Sequence, residues 1–168
     1  MSKKNISQIC VIGMPGSGKS TIGRILSEKL NYNFFDTDEK IEDISNSKIV
    51  DIFKEKGESF FRDLETKVLV DLFNINKVVI STGGGIIINN QKILNKSFNI
   101  YLHCELGLLV ERASRNKNRP LLLKDVEKNM KNIFNQRKKI YNSIADLKID
   151  ASDKINNTVD QIIDKLPS

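Results

Sequence analysis

The sequence is most informative at first through what it has little of. It has no tryptophan, three prolines, one histidine and two cysteines in 168 residues. Cys10 and Cys104 both lie in strand-like apolar context, which points to buried, reduced thiols and a cytoplasmic protein rather than a disulfide framework. His103 stands alone at the end of an apolar run, and no Cys/His cluster has zinc-site spacing. No apolar run reaches the roughly eighteen residues of a transmembrane helix, so no membrane association is expected. The opening "MSKKNISQIC" is basic but has no signal-peptide core or cleavage site. Internal repeats and low-complexity linkers are missing too.

What remains is a globular composition, 39% hydrophobic and 29% charged, on a chain the size of one domain. Short apolar runs at 7–12, 33–36, 77–81, 98–103 and 147–150 read as strands. Between them lie segments of helical periodicity: 19–30, one opening at "TDEKIEDI" with Thr37 or Asp38 as N-cap, a short one at 49–54, and a long one after Gly57 marked by Phe61, Leu64, Val68 and Leu72. Further helices are expected at 89–96, 105–114 and 125–142, with a closing one through Ile155, Val159, Ile162 and Leu166. Strand–helix alternation predicts an α/β fold with a parallel sheet covered on both faces, in one domain spanning 1–168.

The formal charge is +6, but the segment from Glu111 to Lys139 alone carries +7. Such a block calls for an anionic partner, nucleic acid or polyphosphate, unless its lysines simply form a solvated helix face.

The sharpest signal is "GMPGSGKST", Gly13 to Thr21, between the first strand and the first helix. It fits G-x-x-x-x-G-K-[ST], a phosphate-binding loop. Gly13, Pro15, Gly16, Ser17 and Gly18 form the turn, whose glycines let backbone N–H groups wrap a phosphate. The helix after it directs its positive end at the same place. Lys19 can reach the β- and γ-phosphates of a nucleoside triphosphate, the Ser20 hydroxyl can ligate Mg²⁺, and Thr21 follows in the first helical turn.

The third strand ends "VVISTGGG" without an acid, so Asp36 and Asp38 of "FFDTD" are the carboxylates available near a metal. In "GESFFRDLE", Arg62 and Glu65 share a helix face, and a glutamate that holds a guanidinium prepares it to grip a carboxylate. Gly83, Gly84 and Gly85 at a strand end either present bare amides to a ligand or make a sharp turn.

Taken in order, the phosphate loop, "DTD", "FFR…E", "GGG", "RPLL" and a late "R…Y" resemble the shikimate kinase family over nearly the whole chain. The resemblance implies a three-layer α/β/α P-loop kinase fold with a five-stranded parallel sheet, a substrate-binding segment at about 37–65 and a mobile lid at about 113–124. It implies transfer of the ATP γ-phosphoryl group to the 3-hydroxyl of shikimate, a step toward chorismate and the aromatic amino acids, with Mg²⁺ as the metal. By that resemblance Asp38 binds the shikimate hydroxyls and orients or deprotonates the attacking one. Asp36 holds the metal through water, beside Ser20. Arg62 and Arg137 grip the carboxylate, and Glu65 positions Arg62. Phe61 packs beside the ring, and Gly83–Gly85 offer amides. Arg119 meets the transferring phosphate, and Arg112 lies against adenine, with Arg115 the alternative. The partners implied are ATP and shikimate alone, for a monomer that binds no nucleic acid. The rivals are a gluconate or nucleoside monophosphate kinase, and a P-loop module that binds RNA through the basic stretch. The two arginines beside three glycines favour a carboxylate-bearing polyol.

Overall fold

The computed structural model describes residues 6–115 and 125–167. Most of the expected lid, with Arg119, lies outside the described residues. Five strands form one parallel sheet in the order β2-β3-β1-β4-β5: β1 (Gln8–Ile12), β2 (Asn33–Asp36), β3 (Val78–Ser81), β4 (Phe98–His103) and β5 (Leu147–Asp150). Successive residues of a strand point to opposite faces. Ile9, Cys10, Val11 and Ile12 are nevertheless all fully buried, as are Val78, Val79 and Ile80. Both faces of the sheet are therefore covered, which is why the central strands read as continuous apolar runs rather than alternating ones.

The cover comes from helices. α1 (Lys19–Leu30) packs on β2 and β3 and against α7 (Ile155–Lys165), which leans on β5. α6 (Val126–Ile144) lies against β4, with α5 (Leu106–Ser114) beside it. α2 (Thr37–Ser45) packs on α3 (Ile49–Leu72). The three-layer arrangement expected from the sequence is present.

Three local differences have physical causes. Asp36, not Thr37 or Asp38, caps α2, its side chain accepting from the Asp38 and Glu39 amides. Thr37 is already helical, and its hydroxyl instead accepts from the Gly83 amide at 2.8 Å. The helix expected at 89–96 shrinks to the single turn α4 (Gln91–Leu94), and a 3₁₀ turn at Ile86–Ile88 precedes it. Asn90 separates the two in a non-helical conformation and donates from its side chain to the Ile86 carbonyl.

The third difference is partial. α3 runs as one segment, but Gly57 inside it has φ 84° and ψ 173°, so the two helices expected there are real and meet at a break. That backbone region is open essentially to glycine alone. A Cβ at Gly57 would meet nothing within 4 Å. Gly57→Ala is therefore expected to cost stability through backbone strain alone, about 1–3 kcal/mol, measured by urea unfolding, while leaving the local side chains in place.

Candidate active site

All five strands run the same way, so their C-terminal ends share one edge, and the strand order reverses at β1. Ligands of open α/β sheets bind in the crevice at such a reversal. The loop Gly13–Gly18 leaves β1 there and runs straight into α1, with Gly16 and Gly18 at φ 84° and 91°. A cleft of about 220 Å³ opens beside it, lined by Gly16, Gly18, Lys19, Ser20, Thr21, Asp36, Asp38, Thr82, Gly83 and Gly84. Lys19 is buried and curls back over the loop, its Nζ donating to the Met14 carbonyl at 2.8 Å. Ser20 donates to Asp36 Oδ2 at 2.5 Å, with the Ser81 hydroxyl 3.3 Å away. Thus Asp36 has two tasks: Oδ1 caps α2, and Oδ2 faces the first turn of α1.

On the far side of the loop a second recess of about 210 Å³ is lined by Gly16, Ser17, Gly18, Thr21, Ile22, Arg112, Ala151, Asp153 and Ile155. Arg112 reaches the Gly16 carbonyl at 3.3 Å. Arg115 turns outward and pairs with exposed Glu111 at 2.6 Å. Of the two arginines the sequence left open, Arg112 is the one brought to the loop.

The triglycine turn after β3 brings the remaining candidates together. Three charged side chains from two helices converge on it although almost no water reaches them: Arg62 is 8% exposed, Glu65 1% and Arg137 5%. Arg62 is held from two sides, by Glu65 Oε2 at 2.6 Å and Glu58 Oε1 at 3.0 Å. Glu58 was missed in the sequence reading, although its i, i+4 spacing to Arg62 in "GESFFR" signals it. A Cβ on Gly83 would fall 2.7 Å from Asp38 Oδ1 and 2.9 Å from Glu65 Oε1. One on Gly84 would be wedged between Pro15 and Arg137 Nη1, and one on Gly85 would overlap the Arg62 guanidinium. The glycines are there because charged groups press on the turn. Arg137 Nε, buried, has no hydrogen-bond partner among the described residues.

The charges shape one another. Burial pushes the Glu65 carboxyl up to about 7, against the pull of Arg62, with Asp38 adding to the rise and Arg137 opposing it. Burial works against the charge on Arg62, but Glu65 and then Glu58 overcome it and hold the guanidinium protonated. Phe61 lies under this cluster in the core, tilted against Phe53, with the Arg62 guanidinium 5.4 Å from its ring centre.

The basic block also divides. Arg112 and Arg137 turn inward, whereas Arg115, Lys128, Lys131, Lys138 and Lys139 are exposed on helix surfaces. Among the described residues no helix is long and apolar enough to cross a membrane.

This geometry is a phosphate loop facing a buried, arginine-rich recess across three glycines. The family model that matches, over residues 15–167, is that of shikimate kinase. The chain belongs to the shikimate kinase family. Its activity is accordingly that of an ATP-dependent kinase. The shikimate kinase of Sulfurihydrogenibium sp. is 39% identical over 165 residues, covering 96% of this chain and 98% of that protein. That of Microcystis aeruginosa is 41% identical over 165 residues, covering 95% of this chain and 86% of its own length. Among solved structures, the shikimate kinase from Acinetobacter baumannii in complex with shikimate superposes with a TM-score of 0.92 at 32% identity, covering 98% of this chain and 97% of that one. The family thus accounts for the fold.

Proposed function

We propose that this member of the shikimate kinase family carries the γ-phosphoryl group of ATP to the 3-hydroxyl of shikimate across the triglycine turn, giving shikimate 3-phosphate and ADP. The packing of that turn carries the residue assignment. The Cβ space of Gly83 is taken by Asp38 and Glu65, and that of Gly85 by Arg62; Gly84 lies between Arg137 and the phosphate loop. A hydroxyl acceptor with a carboxylate at its other end fits a recess that has an aspartate toward the loop and two guanidinium groups behind it.

The donor set suits Mg²⁺. Ser20 Oγ and Asp36 Oδ2 are hard oxygen donors side by side at the cleft. Among the described residues no group of three or more His, Cys, Asp or Glu side chains is placed to hold a metal ion by itself. That matches an ion held by one or two protein oxygens plus phosphates and water. Bound there, Mg²⁺ would offset charge on the phosphates. Ser20 would ligate it and Asp36 would hold it through water. The amides of Gly16 and Gly18 and the charge of Lys19 would hold the phosphates in line. Asp38 would accept the proton of the attacking hydroxyl or orient it. Arg62, steadied by Glu58 and Glu65, and Arg137 would grip the carboxylate. Phe61 would support the Arg62 side of the ring pocket from the core. Arg112 would lie along adenine in the second recess, and Arg119 would meet the transferring phosphate. Phosphoryl transfer of this kind rests on positioning and charge rather than covalent chemistry.

The test is a coupled ADP-release assay with ATP and Mg²⁺, with and without shikimate, run beside gluconate and nucleoside monophosphates. ADP release that depends on shikimate is expected, and release with another acceptor instead overturns the reading. In the same assay Arg62→Ala is expected to raise KM for shikimate about 30-fold or more, as loss of a bidentate charged contact of 2 kcal/mol or more implies, and KM for ATP less than about threefold. An equal rise in both would remove the carboxylate grip from Arg62.

A further inference from the structure

The hydroxyl of Tyr141 stands where the two halves of the site touch. Arg137 and Tyr141 are one turn apart on α6, so both reach the sheet edge from the same helix face. The Tyr141 hydroxyl is buried and faces two carbonyls: Gly84, 2.6 Å away in the triglycine turn, and Gly13, 3.0 Å away in the phosphate loop. Carbonyls only accept, so the single phenolic proton is shared between them, and the oxygen is left to accept. The charge of Arg137, one helical turn earlier, acts on the same hydroxyl. Beneath it the Tyr141 ring stacks on Tyr101 of β4, with centroids 5.0 Å apart and planes 17° apart, which fixes where the hydroxyl points. Gly84 and Gly13 are already close, since a Cβ on Gly84 would lie 3.4 Å from the Gly13 carbonyl.

A structural core tyrosine needs one partner for its hydroxyl. This one ties the loop that follows β1 and the loop that follows β3 to α6, three segments far apart in sequence. Burial raises the energy of its ionised form, so the hydroxyl stays protonated and remains a donor at any working pH. We propose that Tyr141 is a positioning residue that fixes the spacing between the phosphate loop and the acceptor recess, and that its hydroxyl contributes to turnover rather than to holding either substrate. The proposal rests on the reading of the two recesses given above. Small errors in that spacing are costly, because a displacement of about 1 Å can slow a transfer about a hundredfold.

The test is Tyr141→Phe, which keeps the ring and its stacking and removes only the oxygen. kcat is expected to fall about ten- to a hundredfold, with KM for ATP and KM for shikimate each within about threefold of the wild type. Unchanged kcat with a lowered melting temperature would make the hydroxyl a structural bond only. A loss confined to KM for shikimate would make it a brace for Arg137 alone. Either result overturns the proposal. Should the variant fail to fold, hydrogen exchange on the wild-type chain decides. Shikimate added alone is expected to slow amide exchange across 13–20, and no change there overturns the link. A wild-type chain that does not phosphorylate shikimate would sink the functional reading itself, whereas an active wild type with an equally fast Tyr141→Phe sinks only this inference.

Discussion

Lys19→Ala is expected to lower kcat by at least about a thousandfold, at the upper end of what losing one preorganised donor costs. Lys19 occupies the first residue of α1, where the helix already directs its positive end at the loop. Its Nζ is held at 2.8 Å from the Met14 carbonyl, so the charge sits over the loop before any ligand arrives. The ammonium is thus preorganised: little reorganisation is needed when charge spreads over the transferring phosphate. Two other effects of the change are smaller. Alanine is a good helix former, so α1 loses nothing from propensity. The Met14 carbonyl loses one donor, at a cost of about 1 kcal/mol in stability. Activity should therefore collapse while the melting temperature moves by only a few degrees. Lys19→Arg should not rescue it, because a planar fork cannot replace a compact charge in a loop closed by Gly16 and Gly18. The measurement is ADP release at saturating ATP and shikimate. A loss under about tenfold would mean that other groups meet the phosphate charge.

Much of this was legible in the chain itself. The phosphate loop declares itself because its spacing is demanded by its ligand and its place is demanded by the strand before it and the helix after it. The five strands are legible because parallel strands buried on both faces must be apolar throughout. The α2 cap was assigned one or two residues late for a physical reason. Asp36, Thr37 and Asp38 are all good capping residues, and only the tertiary bonds of Ser20 to Asp36 and of Gly83 to Thr37 decide among them. Tyr141 entered only as the end of the late "R…Y" pair, because a tyrosine's spacing along a helix says nothing about two carbonyls from loops 57 and 128 residues away. The three glycines were read as bare amides or a sharp turn. Their packing adds a reason that sequence cannot carry, namely what fills the space a side chain would need.

That packing gives the second large effect. Gly85→Ala is expected to lower kcat/KM for shikimate about a hundredfold while KM for ATP stays within about threefold, as loss of two charge-assisted bonds of roughly 1.5–3 kcal/mol each allows. Gly85 has φ −95° and ψ −7°, an ordinary conformation that alanine adopts freely, so backbone strain contributes nothing. The effect is steric: the new Cβ would lie 2.6 Å from Arg62 Cζ, in space the guanidinium occupies. Arg62 cannot swing aside cheaply, because Glu65 at 2.6 Å and Glu58 at 3.0 Å hold both of its arms and the group is nearly buried. Either those charge-assisted bonds break or the turn retreats from Arg62, and both outcomes spoil the carboxylate grip. Gly107 supplies the control. It sits inside α5, and a Cβ there would meet nothing within 4 Å. Gly107→Ala should therefore leave both KM values alone and slightly favour the helix. Shikimate kinetics that tolerate Gly85→Ala as well as Gly107→Ala would place the acceptor's carboxylate away from Arg62.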